Sequence, residues 1–218
     1  MTEDVPNRSE RRKARTRATL IDAATAFIAA GRTNVPILEI TQAADVGMGS
    51  FYNHFETKEQ LYQAAIEHGL DAYGDLLDAL TADLPDPAHV FAQSFRLTGR
   101  LHRRRPELSK ILLNNGLALA APDKGIASRA LRDIEAAVRA ERFSVRDPEL
   151  ALVIVAGAQL CLGQLLHDHP ERDEAEATDQ VTEDLLRMFG LSVSEAHRIC
   201  RLPLPDLTAA DSRQDSAG

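Results

Sequence analysis

The chain has 218 residues, 44 % of them hydrophobic, 27 % charged and 5 % aromatic, with no Trp. That is the make-up of a soluble globular protein with enough apolar material for one large domain, or a small domain joined to a larger one. The formal net charge of -8 argues at first against a nucleic-acid binder. The distribution reverses that reading, because Arg8, Arg11, Arg12, Lys13, Arg15 and Arg17 are opposed only by Glu10, and the acidic excess falls after residue 60. A basic end on an acidic body suits a surface that meets polyanions, although a solvated first helix without a partner fits the same charges.

Helical periodicity begins with Leu20, Ala24, Phe27 and Ile28, and Gly31 can end that helix. Short helices follow near 37–44 and 48–54. Thr57 and Gln60 have the spacing of a capping box, opening a long helix with Tyr62, Ile66, Gly69, Tyr73, Leu76, Leu77 and Leu80 on one stripe. Asp86-Pro87 and Asp147-Pro148 each pair an Asp N-cap with Pro at the first helical position. Arg105-Pro106 marks a break, and Asp123 can cap a helix running to about Arg142. A last long helix near 174–189 ends at Gly190, and a short turn over 194–200 precedes a polar tail. The expected fold is all-α, with about nine helices and no strand alternation. The domains predicted are 1–60, a helix-turn-helix DNA-binding domain with a basic arm; 61–205, a helical ligand-binding and dimerisation domain; and 206–218, a disordered tail.

The segment that carries function is ILEITQAADVGMGSFYNHF, from Ile37 to Phe55. Two helices of about two turns are joined by a short turn, and Ile40, Ala44, Val46, Phe51 and Phe55 can share a small core, as a helix-turn-helix requires. Met48, Gly49, Ser50, Tyr52, Asn53 and His54 then face outward, with hydroxyls, an amide and an imidazole but no carboxylate to repel phosphate. Small residues at the helix start permit close approach to base edges in a major groove. Tyr52, His54 and Lys58 can reach phosphates, and the basic arm can follow the backbone.

This segment resembles the TetR-type repressors. Phe27, Ile40, Ala43, Ala44, Val46, Gly49, Phe51, Tyr52, Asn53, His54, Phe55, Lys58, Glu59 and Leu61 carry the likeness, with F-Y-N-H-F-x-x-K-E-x-L as its signature. The resemblance is specific over 15–66 and architectural beyond. It implies a dimer, an N-terminal three-helix DNA-binding domain and a C-terminal domain with a ligand cavity among its middle helices. It also implies that Ser50, Tyr52, His54 and Lys58 hold positions that commonly touch DNA. The full expected DNA-facing set adds Arg15, Arg17, Thr41, Gln42, Met48, Gly49 and Asn53. The chain departs from the family pattern at Asp45, where Gly is usual, at Gly47, where Ser is usual, and at Pro36 and Leu38, which remove a phosphate contact.

In the body, the run 150–166 is apolar almost all round and reads as a buried helix, shorter than the ~20 residues of a membrane span. Gly157 and Cys161 lie four apart, and Ala156 and Gly163 seven apart, so another helix can approach closely. With the 181–189 stripe this predicts a four-helix dimer interface from Val153, Gly157, Leu160, Cys161, Gln164, Val181, Leu185, Met188 and Phe189; burial within one subunit is the alternative. Cavity candidates are Phe91, Phe95, Leu101, Leu112, Leu113, Leu117 and Leu131, with His102, Asn114 and Asn115 as polar groups, which suits a hydrophobic ligand. The long helix from Thr57 is the natural lever for ligand-induced release.

Other signals carry less. His167, Asp168 and His169 do not share a helix face, so no metal is expected, and no cofactor or catalytic motif is found. Cys161 and Cys200 have no motif spacing, and the N-terminus lacks a secretory h-region; both suit the cytoplasm. The expectation is therefore a cytoplasmic, non-enzymatic homodimeric repressor, released from a palindromic double-stranded operator by a small hydrophobic effector, without membrane association. The alternatives are a ligand-independent or activating regulator working through a protein partner, and a helical enzyme that has kept only the helix-turn-helix shape.

Overall fold

Side-chain caps decide where most of the helices begin. A computed structural model describes residues 7–205, apart from 107, 108, 111, 114, 115 and 117–124. Nine bounded helices occur among the described residues: α1 (Arg8–Ala29), α2 (Ile37–Ala43), α3 (Met48–Tyr52), α4 (Lys58–Thr81), α5 (Pro87–Arg104), α6 (Gly125–Arg139), α7 (Pro148–Asp168), α8 (Glu174–Met188) and α9 (Val193–Cys200). Ser109, Lys110, Leu112, Leu113 and Gly116 are helical as well, and no strand occurs among the described residues. Asp86 accepts from the Ala88 amide and Asp147 from those of Glu149 and Leu150, so both Asp-Pro devices work as expected. Asp173 and Ser192 cap α8 and α9 in the same way. Asn7 and Glu10 form a reciprocal capping box at α1. The box expected at Thr57 is only half made. The Gln60 amide donates to the Thr57 hydroxyl at 3.2 Å, but the Gln60 carbonyl oxygen takes the amide of Glu56 instead, at 2.8 Å. Asp123 and the start of its expected helix lie outside the described residues.

The chain packs as two units that divide between Leu70 and Asp71, inside α4. In the first unit Leu20, Ala24 and Ile28 of α1, Ile40 of α2, Phe51 of α3, Phe55, and Leu61 and Ala65 of α4 are buried together. That is why packing carries the unit past residue 60. The turn between α2 and α3 holds Asp45 at φ +53°, a left-handed conformation that Asp tolerates better than most residues. Gly31 and Gly190, which end α1 and the α8 segment, also have positive φ, as their positions require.

In the second unit Phe91, Phe95, Ile134, Phe143, Leu152, Leu162, Leu166, Leu185, Leu186 and Phe189 form the main core. α5 sits centrally in it, and its helical face presents Phe91 and Phe95 to the rings and aliphatics of the other helices. Gly99 marks a close approach of α5 to α8: a Cβ there would come within 2.2 Å of the Thr178 methyl. Both elements are packed tightly, so Gly99→Ala is expected to destabilise the unit by about 1–3 kcal/mol through overpacking. Chemical denaturation monitored by circular dichroism measures this, and an unchanged midpoint would show that α5 and α8 can separate at no cost.

α7 is, by length and composition alone, long and apolar enough to cross a membrane. Within one chain its burial is one-sided. Ala151, Leu152, Val155, Leu162 and Leu166 enter the core, while Leu150, Val153, Ile154, Gly157, Cys161, Gln164 and Leu165 stay exposed along the other side.

Candidate nucleic-acid interface

α3 has five residues, too few to hold helical form alone. Phe51 anchors it. The ring is fully buried, lies edge-on to Tyr52 at 5.1 Å and packs against Phe55 at 5.9 Å. With that side inward, Met48, Gly49, Tyr52 and Asn53 face solvent; Tyr52 is 60 % exposed, and a Cβ on Gly49 would meet nothing within 4 Å. Ser50 and His54 are half-buried. On α2, Gln42 is exposed. Thr41 departs from expectation: it is 1 % exposed and its hydroxyl donates to the Leu38 carbonyl at 2.9 Å, so it serves packing inside the unit. Ala44 and Val46 are half-buried, at the margin of the shared core.

The basic arm comes to this surface through α1. Arg15 and Arg17 are exposed, and the Arg17 guanidinium stands 5.2 Å from the centre of the Phe55 ring. His54 titrates below its ordinary range, first because it is partly desolvated and then because Lys13 and Arg17 repel a further positive charge. Lys13 and Arg17 therefore lie near the C-terminal end of α3, a convergence that spacing along α1 does not reveal. Lys58 is half-buried and is held in place, its ammonium donating to the Asn34 side-chain carbonyl at 2.8 Å and standing 5.9 Å from the Tyr62 ring.

In the helical body the expected cavity residues separate. Phe91 is core: its ring stands edge-on to Phe143 at 5.4 Å and to Phe189 at 5.6 Å, and Phe95 is buried beside it. Leu101 is buried, and Leu112, Leu113 and Leu131 are half-buried. Asn114, Asn115 and Leu117 lie outside the described residues. His102 is buried in a small polar cluster that sequence reasoning only half found. Its Nδ1 lies 2.7 Å from the Ser109 hydroxyl and its Nε2 lies 3.1 Å from the Gln159 side-chain nitrogen. The Gln159 side-chain oxygen is buried without a hydrogen-bond partner among the described residues. Gly163 is inside the subunit rather than on an outer face, and a Cβ there would come within 2.3 Å of the His102 ring.

Burial pulls the His102 pKa below 6.5, with a smaller opposing effect from Gln159. A base that is neutral when folded takes up its proton more readily when unfolded. Its contribution is therefore complete above about pH 6.5 and is lost as pH falls below that value. Thermal melting between pH 7.5 and 5 is expected to fall more steeply for the wild type than for His102→Gln. Parallel curves would mean that His102 does not titrate differently on folding.

The residues expected at a subunit seam also divide. Val153, Gly157, Cys161 and Gln164 form one exposed row on α7, and Met188 is exposed on α8. Leu185 and Phe189 are buried at 5 % and 2 % exposure in their own subunit's core, where Phe189 packs on Phe91 and Phe143, so they do not face outward. Val181 is half-buried against that core. Leu160 turns inward, onto Gly116.

Two family models match this chain. Residues 20–65 match the model of bacterial regulatory proteins of the tetR family, and residues 86–202 match that of the tetracyclin repressor-like C-terminal domain. The chain belongs to the TetR family of DNA-binding transcription regulators, which are not enzymes. Among solved structures it is similar to RolR in complex with the ligand resorcinol, at 31 % identity and a TM-score of 0.76, covering 90 % of this chain and 98 % of that one. RolR without ligand gives 32 % identity and a TM-score of 0.74, covering 87 % and 98 %. A structure from Shewanella sp. PV-4 assigned to the tetR family shares the fold at 16 % identity and a TM-score of 0.61, covering 81 % and 99 %. None of the curated protein sequences matches the chain.

Proposed function

We propose that this protein is a cytoplasmic homodimeric repressor that holds a palindromic operator through α3 and releases it when a small, largely apolar ligand enters the helical body. Residues 1–60 are the DNA-binding part and residues 61–205 the ligand-binding and dimerisation part. The observation that carries the reading is the presentation of α3: one buried Phe51 anchors it, while Met48, Gly49, Tyr52 and Asn53 stand in solvent and Arg17 lies against Phe55, just beyond them in the chain. In this role Gly49 lets the helix start approach the bases, Ser50, Asn53 and Gln42 supply hydrogen bonds, and Tyr52, His54, Lys58, Arg15 and Arg17 meet phosphates.

The exposed α7 row supports a subunit seam, because Leu150, Val153, Ile154 and Leu165, with Met188 on α8, would otherwise stand in water. The His102–Ser109–Gln159 cluster supports a ligand with a polar group on an apolar frame, and the similarity to resorcinol-bound RolR supports a small hydroxylated aromatic as first probe.

The test is a mobility-shift titration of inverted repeats from the DNA beside the gene. Arg15→Ala combined with Arg17→Ala is expected to lower the salt slope of binding by roughly two, about one for each lost phosphate contact. Resorcinol is expected to weaken the complex. A slope that stays unchanged with every variant and every duplex would overturn the interface.

A further inference from the structure

The helical body holds a pocket of about 590 Å³ that shares no lining residue with the His102 cluster. Its walls come from α5, from Asp179 on α8, and from the segment that runs from Cys200 to Pro205. Four guanidinium groups line it, those of Arg96, Arg100, Arg104 and Arg201, against the single carboxylate of Asp179.

The charges are arranged in two layers. Arg96 and Arg100 are buried and both pair with Asp179, at 2.9 and 2.8 Å. Arg96 also donates from Nη1 to the Leu202 carbonyl, and Arg100 from Nη1 to the carbonyls of Glu174 and Ala175. Each guanidinium carries five N–H groups, so donors remain on both after these bonds. Arg104 and Arg201 are exposed, and neither guanidinium forms a hydrogen bond or ion pair among the described residues. Among the described residues the lining holds no other carboxylate; Glu183, outside the lining, acts on Cys200 from a distance and lies 3.1 Å from His197. Burial pushes the Cys200 thiol up to about 12, so it stays neutral and adds no negative charge. The remaining wall is apolar, from Leu97, Leu202, Pro203, Leu204 and Pro205.

A concave, partly desolvated site with surplus guanidinium donors selects an anion, and its apolar wall selects one with a hydrocarbon body. We propose that this pocket binds a small organic monocarboxylate, its carboxylate held by Arg104 and Arg201 over the open donors of Arg96 and Arg100, its apolar part against Leu97 and Leu202. The site is separate from the His102 cluster and does not depend on the repressor reading.

Isothermal titration of the full chain with benzoate tests it, with acetate and benzamide as comparison ligands. Benzoate is expected to bind saturably, about tenfold or more tighter than either comparison ligand, because acetate lacks the apolar body and benzamide the charge. Arg104→Ala combined with Arg201→Ala is expected to weaken benzoate by about tenfold or more while leaving the melting curve in place, since both side chains are exposed. His102→Gln is expected to leave the affinity unchanged. Absence of saturable binding, equal affinity for acetate or benzamide, an undiminished affinity in the double variant, or loss of binding on changing His102 each overturns the assignment.

Discussion

Val153→Asp is expected to turn the protein into a monomer and to weaken operator binding by at least about a hundredfold. Val153 is 67 % exposed near the N-terminal end of the α7 row, between Leu150 on one side and Gly157 and Cys161 on the other. Each large aliphatic side chain covered at a seam contributes roughly 1.5–3 kcal/mol. In a two-fold interface one substitution acts on both chains. The new carboxylates would be buried without partners and would repel each other, and an unpaired buried charge costs several kcal/mol. A lone subunit can hold only one half-site and loses the linked second contact. Analytical ultracentrifugation and a mobility shift on the same sample read the two effects together. A Val153→Asp protein that remains dimeric would place the seam elsewhere.

Phe51→Ala is expected to remove about 3–5 kcal/mol from the first unit and abolish DNA binding, although Phe51 touches no DNA in the proposed complex. α3 has five residues and no side-chain cap hydrogen bond, so its helicity comes from burial of that one ring against the core and against Phe55. Hydrogen exchange over 48–55 should rise to nearly free rates while the amides of α7 and α8 remain protected. Tyr52→Ala is the contrasting variant. Its exposed ring contributes within about 0.5 kcal/mol to stability, yet its removal should weaken the operator complex. If Phe51→Ala kept both its stability and its affinity, α3 would not be held by packing.

Caps and turns were legible in both units because their signals are local. A cap acts over three residues and a turn over two, so Asp86-Pro87 and Asp147-Pro148 could be read from spacing alone, and the left-handed turn at Asp45 from the resemblance. Thr41 and Gln60 were misjudged at the same range, each for want of one fact about a neighbour: the Leu38 carbonyl that takes the Thr41 hydroxyl, and the Glu56 amide that reaches Gln60 first. The body was harder. A helical stripe states which residues share a face and not what covers it, so Leu185 and Phe189 looked equivalent to Met188, although two turn into their own core and one does not. Ser109 and Gln159 carried no motif, and only the folded chain brings them to His102.

One contact of α8 and one of α6 differ in kind. α8 meets α5 through Thr178 against Gly99, where no further atom fits. α6 meets the later turns of α4 through Arg129 and Arg132, which reach Asp71, Asp75 and Asp78, carboxylates spaced along a single face of α4. A keyed joint of the first sort resists sliding at any ionic strength. A ladder of rungs lets a guanidinium step from one carboxylate to the next, and it slackens as salt is added. Within the body, therefore, the α5–α8 joint is the fixed beam, and any give that salt introduces is expected at the α4–α6 junction.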